Sequence, residues 1–454
     1  MKVESMKRIT VLLAFLSLTG SAQILKADDS ASSVSALPTL NRAITLNDAV
    51  SLAAKNNLTL KQSVADLEEA SAMARSASAQ TKASVATTTY ALVGDSNNIV
   101  ASSPGVLPQN DFGTPTRGVL DQNIIAMLPL FTGGKIAGQV HSAEENRSAA
   151  SFQQDQTLLT VKNTAAQAYV KAELQGALVD AAQSRVTAED EQVRITQVKV
   201  TTGRLAPVDL LREQAERANA EQGLLSAQND SSIACVDLKV ALGVSQASQL
   251  TLLDHLDSVQ VSSVPTPSMN DAIRMGQTMR PDIAAADEQI KSAEAALKAA
   301  KGAYAPQVYA LGMVDGLAGS VGSSRVGYTV GLTASLPLYE GGQRHADTDA
   351  AIARVNRKKA DAQVVRQTAD QEIATAWLNL ETATQQIDTA ATELNAAQKG
   401  YDLANLRFNA GKSVAAERLD ALSALTRARA DSATASANLI DSRLRLQTAM
   451  GIQL

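Results

Sequence analysis

Apolar and polar residues alternate most regularly near the middle of the second half of this chain. Tyr328, Val330, Leu332, Ala334, Leu336 and Leu338 alternate with Thr329, Gly331, Thr333, Ser335 and Pro337. Period two predicts a strand with one apolar face and one small or polar face. Upstream, Leu120, Ile124, Ala126, Leu128 and Leu130 repeat the pattern, broken at Gln122. Weaker alternation predicts strands at 84–93 and 306–314. The total is four strands of about 10 residues, a length that crosses a bilayer when tilted. Elsewhere the pattern is helical. Residues 135–200 hold no proline and no cluster of turn residues, and 343–408 repeat that character. An unbroken helix there is about 100 Å long. Charges along the first stretch (Glu144, Arg147, Lys162, Glu173, Arg185, Glu189) exclude a membrane-spanning helix and leave coiled-coil-like packing.

These patterns occur twice. Pro129-Leu130-Phe131-Thr132-Gly133-Gly134-Lys135 reappears 208 positions on as Pro337-Leu338-Tyr339-Glu340-Gly341-Gly342-Gln343. The same offset relates Gly203 to Gly411 and Leu242-Gly243-Val244 to Met450-Gly451-Ile452. Each half therefore carries one strand–helix–turn–helix unit. Return helices are expected over 207–241 and 414–449, with Pro207 in a first turn, where proline is tolerated. Thr45 with Asp48 and Ser268 with Asp271 read as helix caps, 223 positions apart. The difference of 15 from the other offset falls in the Gly/Asn/Ser/Pro-rich loop 94–117, whose counterpart is the shorter Gly-rich stretch near 316–325. The organisation expected is a first repeat over 44–243, a linker over 244–267 that includes a short strand around Val259–Val264, and a second repeat over 268–454.

Composition sharpens this outline. Aromatic residues are 3%, with one Trp and five Phe, which suits closely packed helices better than a compact core. Lys2, Lys7 and Arg8 precede an apolar run from Ile9 to Leu18 and small residues at Gly20-Ser21-Ala22, the pattern of a secretory leader over residues 1–22, with Ala27 as another cleavage point. An extended segment over 28–43 follows. Without the leader the net charge moves from -5 to -7, because three positive charges and one negative are removed. That balance argues against nucleic-acid binding. Cys235 is the only cysteine, so no intrachain disulfide forms. His141, His255 and His345 are isolated, no metal-ligand spacing appears, and no motif implies a cofactor or an enzyme.

Four strands leave open edges, and unpaired backbone groups in hydrocarbon cost several kcal/mol each. Closure therefore requires other chains, and three copies would give twelve strands. The paired Pro-Leu-aromatic-x-Gly-Gly phrases, the Arg280-Pro281-Asp282-Ile283 phrase, the Gly203 and Gly411 turns and the Gly243 and Gly451 phrases occur in one order behind a leader. In this combination the chain resembles TolC-type outer membrane efflux proteins over roughly residues 44–452. The resemblance implies a homotrimer in outer membrane lipid, with a twelve-stranded transmembrane β-barrel and a coiled-coil-like α-helical tunnel in the periplasm. It also implies docking to a periplasmic adaptor and an inner-membrane transporter.

The same resemblance places carboxylates at the narrow periplasmic end. Glu417 and Asp420 lie six and nine residues after Gly411, and Asp209 lies six after Gly203. Spacing i, i+3 puts Glu417 and Asp420 on one helix face. Six such groups in a trimer would favour cation passage; the plainer reading is a solvated helix face. A link between the hairpins is implied near here, but position 413 is Ser413 rather than arginine, leaving Lys412, Arg204 or Arg212 as substitutes. The hairpin tips, Thr202, Gly203, Arg204 and Leu205 with Ala410, Gly411, Lys412 and Ser413, are the expected adaptor contacts. Gly133, Gly134, Gly341 and Gly342 turn strand into helix, and Pro129, Phe131, Pro337 and Tyr339 flank those turns, the two aromatics fitting the interfacial level of a barrel. Type I protein secretion and a trimeric coiled-coil surface protein are the competing functional readings.

Overall fold

The structure, a computed structural model, describes residues 37–92, 119–256, 267–319 and 324–453. The expected leader, the whole of the 94–117 loop and the strand expected at Val259–Val264 lie outside the described residues. In chain order the first half comprises β1 (Asn41–Ile44), α1 (Leu46–Asn56), α2 (Leu58–Ala79), β2 (Ser84–Leu92), β3 (Val119–Phe131), α3 (Lys135–Thr201) and α4 (Pro207–Leu242). The second comprises β4 (Gln249–Leu252), α5 (Met269–Met279), α6 (Pro281–Gly302), β5 (Gln307–Gly319), β6 (Ser324–Ser335), α7 (Gln343–Asn409) and α8 (Ala415–Ala449).

Local chemistry sets the helix starts. Thr45 Oγ1 accepts from the Asp48 N–H at 3.2 Å and the Thr45 N–H donates to Asp48 Oδ2 at 3.1 Å, a reciprocal cap. Ser268 accepts from the Asp271 N–H at 3.2 Å in the same place of the second repeat. The helices α3 and α7 each run for 67 residues. On α7 every seventh residue from Val355 to Ala390 is buried (Val355, Ala362, Ala369, Ala376, Ala383, Ala390), with Ile373 and Leu380 beside that row. This is a heptad seam built mostly of methyl groups, so helix axes approach closely. No helix among the described residues is long and apolar enough to cross a membrane.

The repeat is visible in atomic contacts. Asn57 Nδ2 donates to the Ala241 carbonyl at 3.1 Å, and Arg280 Nη1 donates to the Ala449 carbonyl at 3.1 Å. The two donors are 223 apart and the acceptors 208 apart, as the sequence offsets require. Beside these bonds, Gly243 and Gly451 have φ of +65° and +78°. A Cβ on either would lie 2.7 or 2.8 Å from the backbone of Asn56 or Met279. Left-handed backbone and close approach both demand glycine there. Arg280 is buried and also engages Glu372 at 2.7 Å and Asp282 at 2.6 Å, so the Arg-Pro-Asp phrase fastens the α5–α6 bend to α7 and to the end of α8.

Strands β2, β3, β5 and β6 form one antiparallel sheet in that order. The pairing β3–β5 joins the two hairpins, with Val119 opposite Gly319 and an irregularity between Pro129 and Phe131. One face carries Val85, Ala126, Gly312 and Val330 in register, and continues through Ile124, Val314 and Tyr328. β5 extends to Gly319 and β6 begins at Ser324, so most of the expected 316–325 loop is strand. Cross-strand pairing overrides glycine's low strand propensity there, with Gly316 opposite both Gln122 and Val326. β6 stops at Ser335, short of the expected 338, whereas β3 continues to Phe131. β3 has a partner on each side; β6 is an edge and reaches a proline that cannot donate. Separately, β1 pairs in parallel with β4, which is the strand found in the linker. Tyr169 of α3 is fully buried beneath this pair. Its hydroxyl donates to the Ile44 carbonyl at 3.1 Å, and burial pushes its pKa up to about 12.

Gly451→Ala is expected to destabilise the protein by about 1–3 kcal/mol. Gly223→Ala, on an open face of α4 with nothing within 4 Å, should be neutral or stabilise by about 0.4–1 kcal/mol. Thermal unfolding of the two detergent-solubilised variants measures the contrast.

Candidate functional site

The two hairpin tips are built alike. Gly203 and Gly411 each have φ +70°, and the following residues, Arg204 and Lys412, donate back to the Lys199 and Arg407 carbonyls at 2.8 and 2.9 Å. These are glycine-closed helix ends. Thr202, Gly203, Arg204, Ala410, Gly411 and Lys412 are exposed, while Leu205 and Ser413 are half-buried.

Just behind the tips lies a buried polar cluster that sequence reading missed. Arg418 of α8 is 1% exposed, Glu213 of α4 1% and Glu189 of α3 2%. Arg418 Nη2 lies 3.5 Å from Glu213 Oε2 and 3.9 Å from Glu189 Oε2, longer than direct charge-assisted hydrogen bonds. Gln192 and Thr196 of α3 are buried beside it and bond to each other at 3.1 Å. Phe408 of α7 closes one side, with Lys199 Nζ 3.9 Å and the Arg418 guanidinium 5.8 Å from its ring centre. Lys412, Arg204 and Arg212 are exposed, and within one chain the two hairpins are linked through Arg418. Its signal was its row: Arg418, Leu422 and Leu425 follow heptad spacing, and both leucines are buried.

Burial pushes the carboxyls of Glu189 and Glu213 above their usual range, against the pull of Arg418. Burial, with Arg418, draws Lys199 below its usual range. One guanidinium thus faces two desolvated carboxyls, an arrangement that favours a proton on one of them.

The three carboxylates singled out from sequence occupy different settings. Asp209 caps α4, accepting the Ala206 N–H at 3.2 Å. Glu417 accepts from the Ser413 hydroxyl at 2.7 Å and pairs with Arg407 Nη1 at 3.0 Å. Asp420 is exposed, and no salt bridge is formed by it among the described residues.

The characteristic sequence of outer membrane efflux proteins matches residues 49–244 and 273–452. The chain belongs to this family. It is 24% identical over 272 residues to the nickel-cobalt-cadmium resistance protein NccC of Alcaligenes xylosoxydans xylosoxydans, covering 58% of this chain and 60% of that protein. It is 24% identical over 198 residues to the outer membrane efflux protein BepC of Brucella suis biovar 1, covering 43% and 42%. The aligned part is therefore less than two thirds of either relative. The crystal structure of the Campylobacter jejuni CmeC outer membrane channel shares the fold, with a TM-score of 0.77 at 17% identity over 89% of this chain and 85% of that one.

In this outer membrane efflux protein the two strand–helix junctions differ. Gly133 packs against the end of α6, where a Cβ would come within 2.2 Å of Ala305 Cβ and 2.7 Å of the Gly302 carbonyl. Gly341, of nearly the same φ, meets nothing within 4 Å. Leu338 and Tyr339 beside it are 87% and 88% exposed, and Leu130 and Phe131 are also exposed. Pro129 is half-buried in β3, and Pro337 follows β6.

The raised carboxyl pKa values set a sign. A group raised on folding contributes its full stability below its unfolded value, about 4.3 for glutamate, and loses it as pH rises through the folded value. Cohesion between α8 and the α3–α4 hairpin should therefore be greater at pH 5 than at pH 8. Hydrogen exchange of the first turns of α8, corrected for intrinsic rate, measures this; equal protection at both values would contradict it.

Proposed function

We propose that this protein is the outer membrane duct of an efflux assembly. Three copies close a twelve-stranded barrel, continue it as a helical tunnel, and meet a periplasmic adaptor and an inner-membrane transporter at the hairpin tips. One observation carries the reading: the covered and bare junctions. The first junction is sealed by the end of α6. The repeat makes the end of α2, Ala79–Lys82, the counterpart of Gly302–Ala305, 223 positions earlier. Those α2 residues are exposed and sit beside β2, at the opposite edge of the sheet from the bare junction next to β6. The partner that Gly341 lacks is therefore supplied by another copy, and head-to-tail repetition makes a ring. Ring formation also pairs β6 with the next β2 and removes both edges. The names of the two relatives, metal resistance and efflux, support efflux over type I protein secretion. The four-stranded sheet argues against a purely coiled-coil surface protein.

In this duct Phe131 and Tyr339 sit at the level where barrel meets headgroups, and Asp420 with Glu417 forms the acidic narrow end. Asp209 contributes through its cap, holding the first turn of α4. Glu417 is already neutralised in part by Arg407, so Asp420 carries most of the selectivity.

Purified protein should be a trimer by native mass spectrometry in detergent and should conduct ions in planar bilayers. Leu338→Arg should shift it to monomer; a persistent trimer would refute the assembly interface. Asp420→Asn should reduce the cation-to-anion permeability ratio in a KCl gradient, and an unchanged reversal potential would take this residue out of the narrow end.

A further inference from the structure

Arg418 is chemically out of place. After Arg418 the buried row of α8 continues with Leu422 and Leu425, and an apolar residue at 418 would complete that seam. Instead a full charge enters the interior, between two carboxyls at 3.5 and 3.9 Å. Buried ion triads of this type contribute little net stability against apolar replacements, and their best-attested use is to fix register.

We propose that Arg418 is a positioning residue that fixes the rotational phase of α8 and so holds Asp420 toward the duct. This rests on the reading of Asp420 as part of the narrow end. Two residues along an α-helix turn the side chain by about 200°. Arg418 toward α3 and α4 therefore sets Asp420 on nearly the opposite side, where it is exposed. A turn of α8 by one residue would bring Glu417 or Leu419 inward. Glu189 and Glu213 would then lose their cation, and a third carboxylate or a leucine would face them. In the turn around 418 itself apolar packing discriminates weakly, because Ala416 and Ala421 are small; the buried apolar anchors, Leu422 and Leu425, lie one and two turns further on. The ion pair that Glu417 makes with Arg407 is exposed and adds little to the discrimination. The charge at 418 thus sets the phase of the first turn, and Leu422 and Leu425 support the same phase further along.

The test reads the orientation of position 420 directly. Cys235→Ser with Asp420→Cys places one thiol per chain, and a cationic methanethiosulfonate reagent is added to channels in planar bilayers. Prompt loss of current is expected. Adding Arg418→Met, Glu189→Gln and Glu213→Gln together removes the charges at similar volume. The modification rate should then fall at least tenfold, with trimer mass and helix content unchanged. Arg418→Lys, which keeps the charge, should stay within about threefold of the parent rate. A triple variant modified as fast as its parent overturns the proposal, as does a parent in which position 420 is not modified. Asp420→Asn is read separately. If it leaves selectivity unchanged while the triple variant still slows modification, the acidic narrow end is wrong and the role of Arg418 stands.

Discussion

Backbone hydrogen bonding at the rim of the four-stranded sheet governs the rest of this molecule. Within the described chain, β3 and β5 have a partner on each side, whereas β2 and β6 have a partner on one side only. In water such edges invite uncontrolled association, and in hydrocarbon they are prohibitive. The sequence answers with repetition instead of more strands. One repeat presents a junction that the other repeat covers, and the covering surface is used once inside the chain and left free once. The length of α3 and α7 is a different solution to the same shortage of core. Their alanine seams bury little area per residue but continue for many turns, so cohesion comes from length.

Local and global features agree over most of the chain. The glycines that close the tips, the glycines pressed onto Asn56 and Met279, and the caps at Thr45 and Ser268 all recur at the repeat offsets. This agreement between levels makes one arrangement preferable to its competitors. The exception lies behind the tips, where Arg418, Glu189 and Glu213, with Gln192 and Thr196 beside them, bring charge and polarity into a helical interior that is otherwise mostly apolar. It stands where the two hairpins of one chain meet.

Much of this was legible before any coordinates. The repeated Pro-Leu-aromatic phrase was readable because a strand that becomes a helix needs residues of left-handed backbone at the bend, and few sequences satisfy that. The long helices were readable from missing prolines. Strand β5 was misread beyond 314 because glycine has a weak strand preference by itself and gains a place only through its neighbours across the sheet. Strand β4 was missed because four residues paired to a segment some 200 positions earlier leave no local periodicity. Arg418 was missed for an opposite reason. Flanked by Glu417 and Asp420, it looked like part of a solvated charged face, and only its heptad relation to Leu422 and Leu425 set it apart.

The β3–β5 register has a consequence for biogenesis. Val119 meets Gly319, so the central pair of the sheet joins segments separated by the whole of α3, α4, α5 and α6. Such distant partners meet late, because a long loop must be closed before the contact is rewarded. While the second half is still emerging, the first hairpin holds two unsatisfied margins, one of which will later face β5. A chain in this state is prone to aggregate on its way to the membrane.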